Sequence, residues 1–145
     1  MLLPSPIRSL TTALLIALLL HLGPLFGQQP TLQQRCNKLM GREFVTDGQE
    51  HIAPFKSGGR IEFRTTFFGH STYRLSVCTN AAKGQLVMRV YDTDKNLLFC
   101  NRDYGYSPYW DFSFTSTVTC IVQIELEGPP PPSGTLAMLA IGFKH

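Results

Sequence analysis

From Arg60 to Phe143 apolar and polar side chains alternate with a period of two, the repeat of a strand with one face in a core. Ile61, Phe63, Thr65 and Phe67 alternate with Glu62, Arg64 and Thr66; after the turn residues Phe68 to Ser71, Tyr73, Leu75 and Val77 alternate with Arg74 and Ser76. Leu86, Met88 and Val90 form a third strand, Leu97 to Cys100 a short fourth, and Trp110, Phe112 and Phe114 a fifth. Val118, Cys120, Val122, Ile124 and Leu126 follow with the same rhythm, and Leu136 to Phe143 is nearly all apolar, as expected of a strand buried on both faces. The run from Gly128 to Gly134 holds four consecutive prolines, which donate no ladder hydrogen bonds, and reads as a connector.

Upstream the period changes. Leu32, Cys36, Leu39 and Met40 fall at roughly helical spacing, which predicts a short helix or ordered arm, whereas residues 47–59 carry Asp47-Gly48, Pro54 and Ser57-Gly58-Gly59 and read as turns. Before this, Arg8, the apolar run Ala13 to Leu20 and the small residue Gly27 have the parts of a secretory signal. Cleavage is placed after Gly27; the apolar run is too short for a membrane span, so no transmembrane segment is expected after removal. The expected organisation is therefore a signal peptide over 1–27, an arm and first strand region over 28–59, and a sandwich over 60–145, with 28–145 forming one domain. Short strands punctuated by turns predict an all-β, antiparallel β-sandwich, jelly-roll-like, of about seven to eight strands.

Composition narrows the function classes. The net charge is only +3 among 145 residues and the basic residues are scattered, so no dense basic stripe for nucleic acid is present. The expected location is secreted or periplasmic. In that setting the four cysteines, Cys36, Cys78, Cys100 and Cys120, predict two disulfides of undetermined pairing, and the lack of a C-x-x-C spacing argues against a zinc or redox motif.

Tyr73 to Cys78, Val90-Tyr91-Asp92, Asn96 to Asn101, Tyr109 to Phe112 and the closing Ala140 to Lys144 together resemble small exported β-sandwich proteins of Gram-negative bacteria. The order of elements is similar to pre-peptidase C-terminal-type domains. That resemblance implies a jelly-roll-like sandwich and export, and it carries no catalytic residue. The four cysteines and the tetraproline depart from the pre-peptidase type.

Two constellations are candidate sites. Tyr104, Tyr106, Tyr109 and Trp110 gather four aromatics around a Gly- and Pro-containing loop, where exposed rings can stack on a sugar or anchor a protein partner. Asp92, Asp94 and Asn96 place oxygen ligands at alternate turn positions, the weaker candidate, for calcium; no other cofactor is expected. His51, His70 and His145 read as surface residues, and no ordered Ser, His and Asp set or metalloprotease motif occurs. The expectation is an exported, non-enzymatic binding module with a glycan or protein ligand. The alternatives are a structural subunit of an envelope assembly, resting on strand addition to the apolar final strand, and thirdly a hydrolase.

Overall fold

A computed structural model of the chain describes residues 30–46, 48, 51–56 and 59–144; the expected signal peptide lies outside the described residues. The alternating segments become the strands β3 (Arg60–Phe67), β4 (Ser71–Thr79), β5 (Gln85–Asp92), β6 (Leu97–Cys100), β7 (Tyr109–Phe114), β8 (Val118–Glu127) and β9 (Leu136–Lys144). Among the described residues two strands precede them, β1 (Val45–Thr46) and β2 (His51–Pro54), and one helix, α1 (Leu32–Lys38).

All pairings are antiparallel. One sheet runs β1–β9–β4–β7, with β2 also pairing β9; the other runs β3–β8–β5–β6. Consecutive strands from β2 to β5, and again from β6 to β9, lie on opposite sheets, and only β5 and β6 form a hairpin. That wrapping, with strands distant in sequence as neighbours, is the jelly-roll form of a sandwich. The inward positions interlock as one core, including Ile61, Phe67, Leu75, Val77, Met88, Val122, Ile124 and Leu139. Full burial of each large side chain of this kind contributes about 1.5–3 kcal/mol.

β1 and β2 lie in the 28–59 region expected to hold an arm and a first strand, although the residue pattern assigned bounds to neither. Residues 51–54 were expected in a turn region because Pro54 and nearby glycines read as breakers. Their partner decides otherwise: His51 to Pro54 lie along Leu139 to Leu136 at the sheet's edge, where a proline is tolerated.

The N-terminal segment covers the outer face of β4 and β9. Thr31 caps α1 by accepting from the Gln34 backbone, and the Gln34 side chain accepts from the Thr31 backbone N–H in return. Cys36, Met40 and Phe44 then bury against Met138 and Ala140, a second small core outside the sandwich. This explains why β9 is apolar on both faces. It also explains Gly142, where a Cβ would lie 2.7 Å from Met40 Sδ and 3.0 Å from Phe44 Cβ.

Arg74 clamps this layer. Its guanidinium donates to both carboxylate oxygens of Asp111 at 2.7 and 2.9 Å and to the carbonyls of Leu39 and Met40 at 3.2 Å. It lies between the rings of Phe44 and Tyr109, at 4.4 and 4.5 Å from their centroids. The hydrogen bonds to Asp111 hold its pKa above the ordinary value. The outer face of the other sheet is solvated and carries an ion-pair ladder, Arg60–Glu125–Arg89–Glu127–Arg102.

Candidate functional site

The aromatic loop sits where the two sheets' edge strands, β6 and β7, approach one another. β7 presents Trp110, Phe112 and Phe114 to the interior because they alternate with Asp111 and Ser113 along a strand paired only with β4 among the described residues. From the opposite sheet Phe99 reaches across, with its ring centroid 5.2 Å from Trp110 and 5.1 Å from Phe112. Rings from the two edges thus close that side of the sandwich.

Between β6 and β7 the chain makes a single 3-10 turn, Asn101–Tyr104, ended by Gly105 at φ +66. Asn101 fixes this turn. Its side chain is fully buried, accepts from the Met88 backbone N–H at 2.9 Å and donates to the carbonyls of Leu86 and Ser107 at 3.3 and 3.0 Å. A buried amide satisfied on both ends is a rigid anchor for an otherwise exposed loop.

Tyr104 rides on that anchor. Its ring stacks on Phe99 at 5.4 Å with a 12° interplanar angle and lies 4.3 Å from Trp110, yet the residue remains 53% exposed. A large ring supported from beneath and open above loses little freedom when a ligand stacks on it. Tyr109 is 38% exposed on the other face of β7, against Arg74. A shallow recess of about 300 Å³ runs between Ser107, Tyr109, Trp110 and Asp111.

The four aromatics expected to act together are therefore divided. Tyr104 and Trp110 form one platform with Phe99; Tyr109 flanks it around the edge strand; Tyr106 is partly buried, with φ +57 directly after Gly105. Phe99, Arg74 and Asn101 were not among the expected site residues. Phe99 was legible only as part of the short strand Leu97 to Cys100, and its meeting with Tyr104 depends on a loop whose path the strand rhythm does not record.

Asp92, Asp94 and Asn96 sit in the β5–β6 hairpin turn. Asp92 accepts from both the backbone N–H and the side-chain amide of Asn96, each at 2.8 Å, and the Lys95 backbone N–H bonds to the Asp92 carbonyl. The hydrogen bond from the Asn96 side chain, then that from its backbone, lowers the Asp92 pKa. Both carboxylate oxygens are thus occupied in holding the turn. Among the described residues no group of three His, Cys, Asp or Glu side chains is arranged to hold a metal ion.

The cysteines separate into unlike environments, all as free thiols. Cys36 on α1 lies over the β4–β9 seam, its sulfur 3.4 Å from the Ser76 carbonyl and 3.7 Å from that of Met138. Met138 is the registered partner of Cys78, and Cys78 shares the outer face of β4 with Ser76. A hydrogen bond from the Cys78 thiol lowers the pKa of Cys36, and the same bond, with burial, raises that of Cys78. Cys120 is buried in the core, and burial raises its pKa. Cys100 pairs with Arg89 on the outer side of the same sheet, two strands away from β8. Side chains on opposite faces of a sheet, with a strand between them, cannot meet in a disulfide.

His51, expected at the surface, instead faces inward opposite Leu139, with its ring 5.7 Å from Phe63. Among the described residues no helix is long and apolar enough to cross a membrane. No protein-family model, curated protein or solved structure matches the chain.

Proposed function

We propose that this chain is an exported, non-enzymatic binding module that stacks a carbohydrate on the platform formed by Tyr104, Trp110 and Phe99. The observation that carries this reading is the half-exposed Tyr104 ring held rigidly between Phe99 and Trp110. The apolar face of a pyranose covers an open aromatic ring, while its hydroxyls turn outward to polar groups; Ser107 and Asp111 border the adjoining recess. Tyr109 extends the site around the strand edge.

Affinity electrophoresis through gels containing a panel of soluble polysaccharides tests the proposal. At least one should retard the protein, and Tyr104→Ala should abolish the retardation while leaving the fold intact. Retardation equal in the wild type and the variant would remove the platform from the account.

A protein ligand is the second reading. It is favoured by Leu97 and Leu98, exposed at 54% and 53% on the same edge strand that supplies Phe99. Strand addition to β9, the basis for an envelope-assembly subunit, meets a strand already paired on both sides.

An oxidising location fits one disulfide, Cys36–Cys78. Its formation would release two protons and two electrons from the thiols to an external disulfide, itself reduced to two thiols. The product would tie α1 to the sheet that α1 already covers, leaving Cys100 and Cys120 reduced.

A further inference from the structure

On the side of the sandwich away from the aromatic platform, the space between β2, β3 and β4 opens as a cavity of about 620 Å³. That volume lies within the range of small-molecule sites. Its lining departs from the core rhythm in a specific way. Positions whose parity points inward should be apolar, and along β3 they read Ile61, Phe63, Thr65, Phe67. Thr65 breaks the series. Ser71 does the same on β4, ahead of Tyr73, Leu75 and Val77, and His51 does so on β2, ahead of Ala53. All three polar residues line this cavity.

One buried polar atom there has no partner. His51 Nε2 is buried and makes no hydrogen bond. A buried imidazole nitrogen left unsatisfied costs free energy, and a native fold retains one where something else completes it. The rest of the lining indicates what that is. Phe67 and Tyr73 supply an aromatic wall, with ring centroids 4.9 Å apart, and the Tyr73 hydroxyl is held by accepting from the Phe68 backbone N–H. Arg64, on the solvent side of β3, stands at the rim, and no Asp or Glu lines the cavity among the described residues.

We infer that this cavity is a second binding site, for a small monocarboxylate with an apolar body, such as a medium-chain fatty acid. The hydrocarbon lies against Phe67 and Tyr73. A carboxylate oxygen accepts from His51 Nε2–H, and the charge is neutralised by Arg64. The Thr65 and Ser71 hydroxyls offer further donors. The site is independent of the Tyr104 platform, and failure of either leaves the other standing.

The test titrates the purified protein, below micellar concentrations, with decanoate and with decanol, followed by amide NMR. Decanoate should give saturable shifts centred on His51, Thr65, Ser71 and Tyr73. Decanol should bind about tenfold more weakly, the loss expected when a charge-assisted hydrogen bond is removed. Arg64→Gln, at an exposed position, should weaken decanoate about tenfold and leave decanol unchanged. Thr65→Leu, which adds bulk beside Phe67 and removes a hydroxyl from the lining, should weaken both. If Thr65→Leu does not fold, the wild-type shift map and Arg64→Gln decide the matter. Absence of saturable decanoate binding, equal affinity for acid and alcohol, or shifts confined to the Tyr104 loop would each overturn the inference.

Discussion

Asn101 shows most directly how one residue positions the proposed site. Its three hydrogen bonds join β5 to the 3-10 turn and to Ser107, so they set the height at which Tyr104 meets Phe99. Asn101→Ala leaves the buried Met88 N–H without its partner and takes a donor from each of the part-buried Leu86 and Ser107 carbonyls. The expected cost is about 3 kcal/mol of stability, read by urea denaturation, because unmade buried hydrogen bonds cost ~1–3 kcal/mol each and relaxation recovers part of that. A loss below about 0.5 kcal/mol would mean that the loop does not depend on the anchor. Nothing in the sequence marks Asn101, which follows a cysteine at a strand's end. Arg74 is similar. Its alternation with Tyr73 and Leu75 places it correctly on the outer face, but that face carries a helix, so a residue expected in solvent is a clamp between Phe44 and Tyr109. Parity along a strand reports a direction and says nothing of what lies there.

At the scale of elements, α1 and the solvated outer face of the β3–β8–β5–β6 sheet make separate predictions. The helix carries Cys36 to the sheet position that Cys78 shares, whereas Cys100 and Cys120 occupy opposite faces. Peptide mapping of the protein after oxidation, under non-reducing conditions, should therefore find the Cys36–Cys78 link and no Cys100–Cys120 link. Recovery of a Cys100–Cys120 peptide would refute the strand assignment on that sheet. The ion-pair ladder predicts a pH dependence. Burial raises the pKa of Glu125, but the hydrogen bond from Arg89 and the charges of Arg89 and Arg60 outweigh it, and the net result lies below the ordinary 4.5. A carboxyl depressed in the folded state contributes stability above its unfolded value and loses it as pH falls through the folded value. Melting temperature should hold from neutrality down to about pH 4.5 and then decline. Glu125→Gln should cost about 1 kcal/mol of stability at neutral pH, so the neutral melting temperature falls, and should flatten the acid limb. An unchanged acid limb in the variant would show that the ladder contributes nothing.

For the whole molecule, the two-residue rhythm made seven strands and the sandwich legible, because a half-buried strand must alternate. It could not place β1 and β2 within the expected first strand region, because their strand character comes from lying along β9 rather than from their own pattern, with Pro54 among them. Nor could it show which strands are neighbours. The jelly-roll wrapping brings β6 and β7 together at one side and β2 and β3 at the other, so the Tyr104 platform and the His51 cavity arise from pairings remote in sequence. The aromatic loop was visible as a cluster of rings, but only the fold separates Tyr104 and Trp110 from Tyr109 and seats Phe99 beneath them.

Trp110 is the chain's only tryptophan and lies 4.3 Å from Tyr104, so its fluorescence reports on the platform directly. Titration with the oligosaccharide corresponding to whichever polysaccharide retards the protein should shift or quench that emission saturably, and Tyr104→Ala should remove the response. Emission unchanged across the whole oligosaccharide panel, with the protein folded, would contradict carbohydrate binding at this edge of the sandwich.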